Sequence, residues 1–371
     1  MRKLFRKVPL REAVLICVLT GLCGILLLLP GSPQLADTSG KHLVAEVVAV
    51  DNSGLSKHGL LQYGSQHLTV KVSGKLYPAN NELRAQMELD KLFAPGDRVT
   101  VMFPESDANG QPVLTAVDHW RNGWSFALFG MFCILLVIFG AWTGVKALFS
   151  FVFSCVVIWK LIVPLVLRGY PASWLIFAAV VLLTAVITFL VAGFTRKGVA
   201  AFAGAIAGVF SGLAMAHLFG MAMHINGAVM PFSQALVYSG FADLDLMDIF
   251  VGAVMLASCG AVMDLAMDIA AGVEEVARHN PELPAKELIR SGFRIGRSVV
   301  GTMTTTLLLA YSGGYLTLLM MFSAQGTPPA VFLNNPLVVS EVVKTLIGSF
   351  SLVLVAPLTA VASGVLFQKR T

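Results

Sequence analysis

Residues 247–271 read MDIFVGAVMLASCGAVMDLAMDIAA, an apolar run with two aspartates in its second half. The run is long enough to cross a bilayer core of roughly 30 Å, which takes about 20 helical residues. Asp264 and Asp268 are four residues apart and therefore share one face of a helix. An ionisable side chain in hydrocarbon costs at least a few kcal/mol, so each aspartate needs a partner, a cavity or a route to the interface. The stretch predicts a membrane-spanning helix that carries candidate functional carboxylates.

The rest of the chain repeats the apolar pattern. The sequence has 371 residues, of which 56% are hydrophobic and 13% are charged, whereas soluble proteins carry about 25% charged residues. This composition excludes a water-soluble protein and predicts an all-α polytopic membrane bundle of about eight transmembrane helices. The predicted spans are Ala13–Leu29, Gly123–Ala141, Val145–Leu167, Ala172–Ala192, Val199–Met221, Met247–Ala271, Val299–Phe322 and Val342–Phe367.

The basic residues give these spans an orientation. Threading the spans alternately places the dense basic connections on one side, which the positive-inside rule identifies as the cytoplasm. These residues are Lys146, Arg196, Lys197, Arg278, Lys286, Arg290, Arg294, Arg297, Lys369 and Arg370. The sequence thus predicts a multi-pass protein of the bacterial cytoplasmic (inner) membrane with both termini in the cytoplasm.

The first span follows the basic residues Arg2, Lys3, Arg6, Lys7 and Arg11, as either a signal peptide or an uncleaved anchor would. Its exit lacks a clean small-x-small cleavage site, since Gln34 precedes Leu35 and Ala36. We therefore expect residues 1–35 to form the cytoplasmic N-terminus and a signal-anchor helix, although cleavage stays open.

Residues 36–121 form a polar interval between the first two spans and predict a small extracytoplasmic β-rich domain. Apolar and polar residues alternate at 68–73 and 99–103, while 43–50 and 112–117 also have the character of strands. At this size the domain can close as a barrel or a sandwich. Residues 81–93 predict a helix inserted among the strands, and residues 122–371 predict a seven-helix membrane bundle.

The candidate site combines the two aspartates with hydroxyl groups of the seventh span. Thr302 and Thr306 are one helical turn apart, and Thr305 adjoins them. These hydroxyls line a solvated path or bond across helices, and packing is their more common role. Asp264 is interpreted either as a proton or cation carrier or as a buried carboxylate bonded to a threonine. Asp268 is interpreted either as part of the same path or as a solvated helix end.

Two further patterns concern packing and lipid. Gly204, Gly208 and Gly212 repeat every four residues and predict a close helix contact. Residues 273–298 contain a basic amphipathic segment that is expected to lie on the cytoplasmic membrane surface beside acidic lipid headgroups.

Several classes of function have no support in the sequence. Lysine and arginine form no aromatic-interleaved patch, so no nucleic-acid partner is predicted. The five cysteines lie in apolar segments without CxxC spacing, and no metal site or cofactor is predicted. The phosphate-binding loop GxxxxGK[ST], the HExxH motif and the GxSxG elbow are all absent, so the chain is not expected to be an enzyme.

Three stretches together resemble a known family. They are GAVMDLAMDIAAGVEEV from Gly260, NPEL at 280–283 and SGFRIGRSVVGTMTTTLLLAYSGGYLTLLM from Ser291. The chain resembles the YibE/F-like family of bacterial multipass membrane proteins, including a PGDRV turn at 95–99 and a GFTRKG loop at 193–198. The resemblance implies a membrane bundle with an extracytoplasmic domain and implies no substrate. Such relatives often carry a small residue where this chain has Asp268, which favours Asp264 as the shared group.

The leading functional hypothesis is a permease or ion-coupled transporter with Asp264 as its titratable group. The alternative is an envelope scaffold or sensor whose outer β domain binds a partner. A third class, an enzyme acting on lipid headgroups, would use Asp264 and Asp268 as an acid and base pair. The sequence leaves open the substrate, the direction of transport, the coupling ion, the envelope partner and whether the chain forms a homo-oligomer.

Overall fold

The structure is a computed structural model that describes residues 10–29, 31, 41–87, 89–103 and 112–368. The basic side chains of residues 1–11 and residues 369–370, which helped to orient the predicted spans, lie outside this description. The chain divides into one unit of residues 36–135 and a second unit of residues 1–35 and 136–371.

Six strands form the smaller unit. They are β1 (His42–Asp51), β2 (Leu55–His58), β3 (Leu61–Val72), β4 (Lys75–Arg84), β5 (Arg98–Met102) and β6 (Leu114–His119). β1 pairs with both β3 and β5, and β6 joins β5 to β4, so that five strands close into a barrel, with β2 added beside β3. Every pair is antiparallel except β4 with β6. The predicted β domain is confirmed, and of its two alternatives the barrel is observed, with the architecture of an OB fold.

The barrel interior follows the alternation of the sequence. Val70, Val99, Val101 and Leu114 are fully buried, and their strand neighbours point outward. Beside these apolar residues lies a buried amide, Gln66, which is 1% exposed. Its Oε1 accepts hydrogen bonds from Asn81 Nδ2 at 3.0 Å and from the Phe93 N–H at 3.1 Å. Its Nε2 donates to Phe93 O at 3.0 Å and to Asn52 Oδ1 at 2.9 Å. Gln66 thereby ties the segment after β4 to the barrel.

The predicted helix at 81–93 is wrong. Residues 81–84 belong to β4, and the described residues that follow form turns and irregular backbone. The Asp90 carboxylate accepts the N–H groups of Arg84 and Gln86, and Asn81 Nδ2 donates to Lys91 O. These bonds to side chains and loop carbonyls hold the segment in a loop, since the same backbone groups cannot also form helical bonds.

Eleven α-helices are described in the chain. They are α1 (Leu10–Leu28), α2 (Asn122–Val157), α3 (Val163–Leu167), α4 (Ala172–Ala192), α5 (Arg196–Ala222), α6 (Ser233–Tyr238), α7 (Leu246–His279), α8 (Ala285–Gly314), α9 (Leu316–Ala324), α10 (Pro329–Phe332) and α11 (Pro336–Phe367). A π-helical turn, Ile158–Ile162, joins α2 to α3.

Among the described residues, five helices are long and apolar enough to span a membrane, or six if the bent pair α8 and α9 counts as one span. The predicted number was about eight. Among the described residues, α1 contributes a shorter apolar helix, Ile16–Leu28. The predicted second and third spans run together as Asn122–Leu167, with a break at Ala141, where φ is 47° and ψ is −125°. The predicted seventh span is bent by 64° between α8 and α9.

α7 is the central helix of the larger unit and packs against α4, α5, α8 and α11. Its Phe250, Leu265 and Ile269 are fully buried. The glycine stripe of α5 faces α11, with Gly204 against Thr359, Gly208 against Val355 and Gly212 against Ser351. The predicted close helix contact is confirmed.

The basic amphipathic segment predicted within 273–298 is divided between two long helices. Residues 273–279 end α7, and α8 begins at Ala285 and continues without a break to Gly314. Leu288 is buried, and Gly292 and Gly296 pack against Ala360 and Ala356 of α11. The basic residues therefore occupy the outer side of a helix whose inner side belongs to the bundle core.

Candidate functional site on two adjacent helices

The exposed face of α7 carries small and acidic residues. Between Leu246 and Ala271, where every residue is described, the exposed residues form one stripe: Ala257, Gly260, Asp264, Asp268 and Ala271. Their spacings of three and four residues place them along one line of the helix. We call this line the α7 stripe, and it contains no large apolar side chain.

The neighbouring face of α8 is also polar. From Arg294 to Thr306 the exposed residues form what we call the α8 stripe: Arg294, Arg297, Ser298, Gly301, Thr302, Thr305 and Thr306. The hydroxyls of Thr302, Thr305 and Thr306 donate to carbonyls of their own helix, namely Val299 O, Gly301 O and Thr302 O, at 2.9, 3.0 and 2.9 Å. A hydroxyl oxygen that donates its proton in this way can still accept hydrogen bonds.

The two stripes lie at matching levels, meaning matching positions along the axes of the two helices. A Cβ built on Gly296 would lie 3.3 Å from Ile269 Cδ1, and one built on Gly272 would lie 2.7 Å from Ile295 Cδ1. The helices are antiparallel with the same rise per residue, so Asp268 is level with Arg297 and Asp264 is level with Gly301 and Thr302. Thr302 follows Ile295 by seven residues and so lies on nearly the same side of α8, toward α7. The structure thus places the predicted carboxylates and threonines at matching levels of two adjacent helices.

The two aspartates are not enclosed by their own chain. Both are exposed, and neither makes a hydrogen bond or an ion pair with any residue that the structure describes. The interpretation of Asp264 as a buried carboxylate bonded to a threonine is therefore not observed. Arg294 and Arg297 likewise have no ion-pair partner in the described chain, whereas Arg290 lies 3.9 Å from Glu287.

A second polar cluster has a structural explanation. Asp245 caps α7 by accepting the Asp248 N–H at 3.0 Å. Asp248 accepts the N–H of Ser173, at the start of α4, at 3.0 Å, and its carboxylate lies 3.9 Å from His217 Nε2 on α5. These contacts connect three helices. No group of three or more metal-ligating side chains occurs in the part of the chain that the structure describes.

The sequence indicated the carboxylates and threonines but not the surface they share. Gly260, Gly301, Arg294 and Arg297 were missed as members of it. The available signal was the run of small and polar residues at spacings of three and four in both helices, because a face in contact with a packed core or with lipid carries larger apolar side chains.

A family model described as YibE/F-like protein matches residues 128–369, which include α7 and α8. Neither a curated protein nor a solved structure matches the chain.

Proposed function

The chain belongs to the YibE/F-like family, as its motifs predicted, and from that premise we propose that it is an ion-coupled permease of a bacterial cytoplasmic membrane. The description of the family names no activity, so the proposed transport rests on the α7 and α8 stripes. In this proposal Asp264 is the titratable group, and the α8 hydroxyls complete a polar path along the exposed side of the two helices.

Contacts at one end of the bundle support the proposed orientation. Lys197 Nζ, at the start of α5, lies 3.1 Å from Glu274 Oε2 near the end of α7, and Arg196 Nη1 donates to Leu366 O near the end of α11. The connection from α7 to α8, which is followed by four basic residues, lies at this same end. One end of the bundle therefore collects the dense positive charge, as the cytoplasmic end of a membrane protein does.

The observation that carries the proposal is the absence of large apolar side chains from the exposed positions of α7 at 246–271 and of α8 at 294–306. On α8 this polar stretch is flanked by the exposed side chains of Phe293 and Leu308. A helix face in contact with lipid needs apolar side chains, and a carboxylate there costs at least a few kcal/mol. The stripes therefore suit contact with water or with protein. A carboxylate beside hydroxyl oxygens can take up and release a proton along such a surface.

Asparagine at position 264 is expected to slow proton movement. Purified protein is reconstituted into liposomes that contain a pH-sensitive dye, and the external solution is acidified. Without substrate the assay measures the proton leak that the carboxylate supports. We expect the wild type to acidify the interior faster than Asp264→Asn by on the order of tenfold, because the amide keeps the shape of the carboxylate but cannot exchange a proton. Asp243→Asn removes an exposed carboxylate outside the stripes and is the matched control. Equal rates for wild type and Asp264→Asn would contradict the assigned role.

The barrel favours a second candidate function, an envelope scaffold or sensor. Between β4 and β6 it has a cavity of about 610 Å³, whose lining includes Asn80, Glu82, Arg84, Asp90 and Lys91. A polar groove on a small barrel suits the binding of a polar ligand or a peptide. Deleting residues 37–120 separates the two functions: the scaffold requires complete loss of function, whereas the permease retains proton flux through the helical unit.

A further inference from the structure

We propose that a second copy of this chain covers the α7 and α8 stripes, forming a homodimer with its two-fold axis along the membrane normal. In this arrangement α7 of each copy faces α8 of the other, and the four helices enclose the carboxylates. The inference uses the same surface as the proposed permease but concerns association, so it can fail or succeed independently of transport.

The shape of the surface permits close approach. Cβ atoms built on Gly260 and Gly301 would have no other atom within 4 Å, so each glycine opens onto free space. Ala257 and Ala271, at the two ends of the α7 stripe, also have small side chains. Small residues of this kind let helix backbones pack closely in membranes, where dispersion contacts and hydrogen bonds drive association.

The charges of the two stripes are complementary. The α7 stripe presents Asp264 and Asp268, and the α8 stripe presents Arg294 and Arg297, all without ion-pair partners among the described residues. Ile295 faces α7 of its own copy. Arg297, two residues later, is turned about 200° from Ile295 around the helix, so it does not face its own α7. In the proposed dimer the α7 helix of the second copy packs on the exposed side of α8, and the long arginine side chain reaches its carboxylate from the flank of that helix.

The levels of these residues fit the proposed symmetry. A two-fold axis along the membrane normal keeps every residue at its own depth, so residues that meet across the axis must be level. Asp268 and Arg297 meet this condition because each adjoins the contact between Ile269 and Gly296. Asp264 is level with Gly301 and Thr302, so a carboxylate of one copy can meet the hydroxyl face of the other. An isologous interface makes each of these contacts twice.

Charge reversal tests the interface. The full-length protein is reconstituted into nanodiscs, and the dimer fraction is measured by single-molecule photobleaching of a C-terminal label. We expect Asp268→Arg and Arg297→Asp each to weaken dimerisation by on the order of tenfold, since like charges then meet across the axis. Gly260→Leu should do the same by filling the gap, while Ala178→Leu, on an exposed position of α4, should leave the dimer intact.

Co-expression of the two charge variants distinguishes pairing between copies from pairing within one. A mixed dimer of Asp268→Arg with Arg297→Asp restores both opposite-charge contacts across the axis, so differently tagged copies should copurify with each other more than with themselves. Within a single copy each variant holds two like charges, and co-expression would restore nothing.

Three results would overturn the proposal. They are a monomeric wild type, a dimer that survives both the charge reversals and Gly260→Leu, and folded charge variants that fail to copurify. The dimer fraction is also measured in nanodiscs that contain no anionic lipid. Dimers that persist there support a protein partner for Arg294 and Arg297, whereas dimers that disappear there would assign these arginines to lipid headgroups and overturn the pairing.

Discussion

Leucine at position 204 is expected to disrupt the helical bundle, lowering its free energy of unfolding by about 3 kcal/mol or more. A Cβ at this position would lie 2.8 Å from Thr359 Cα and would clash with the Thr359 hydroxyl. The obstacle is backbone as well as side chain, so α5 and α11 would have to move apart. Their separation would also expose Val355 and Ser351, which pack against the next two glycines of the stripe.

The measurement is the unfolding of the purified chain in mixed micelles, followed by circular dichroism as the fraction of denaturing detergent rises. Gly130→Leu is the control, because it places the same side chain on α2 where a Cβ meets nothing within 4 Å. We expect the control to unfold near the wild-type midpoint. A Gly204→Leu protein as stable as the control would contradict the close packing of α5 on α11.

Replacing Gln66 with leucine is expected to destabilise the barrel by about 3 kcal/mol. Leucine nearly preserves the volume, but it leaves the Phe93 N–H and C=O without their partner inside the barrel. Each buried polar group left unsatisfied costs about 1 to 3 kcal/mol. The substitution also removes the bond from Asn81 that helps to hold the segment after β4.

Hydrogen–deuterium exchange of the full-length protein measures this effect separately in the two units. Peptides from β3 and β4 should exchange faster in the variant, while peptides from α7 should be unchanged. Gln62→Leu is the control: Gln62 lies on the same face of β3, is half-buried, and its amide makes no hydrogen bond with a described residue. Equal protection of β3 in the Gln66 and Gln62 variants would show that the buried network contributes little.

The pattern of apolar and polar residues predicted the structure well in segments where it repeats with a single period. The alternation at 68–73 and 99–103 located β3 and β5, because a strand with one buried face shows a period of two. The segment at 81–93 was mistaken for a helix because its fold depends on Asn81, Asp90 and the distant Gln66. Partners of that kind are set by the closed barrel and leave no local periodicity.

In the helical unit, too, local features were predictable from the sequence and features that depend on distant partners were not. The spacing of Gly204, Gly208 and Gly212 was enough to predict a helix contact, while the identity of the partner, α11, required the structure. The breaks within the spans were less predictable from hydropathy, because neither the break at Ala141 nor the bend after Gly314 interrupts the apolar composition. For the candidate site, the sequence supplied Asp264 and Thr302, but their common level depends on how α7 packs against α8.

The strand order of the barrel determines how tension would pass through it. The chain enters through β1 and leaves through β6, and both strands are hydrogen-bonded to β5. His42 at the entry pairs with Met102, and His119 at the exit pairs with Val99, so the two ends of the unit meet β5 at its opposite ends. A pull between them would load the hydrogen bonds on both sides of β5 together, in shear, and not one after another as in a zipper. This geometry resists extension and makes β5 the mechanical link of the domain.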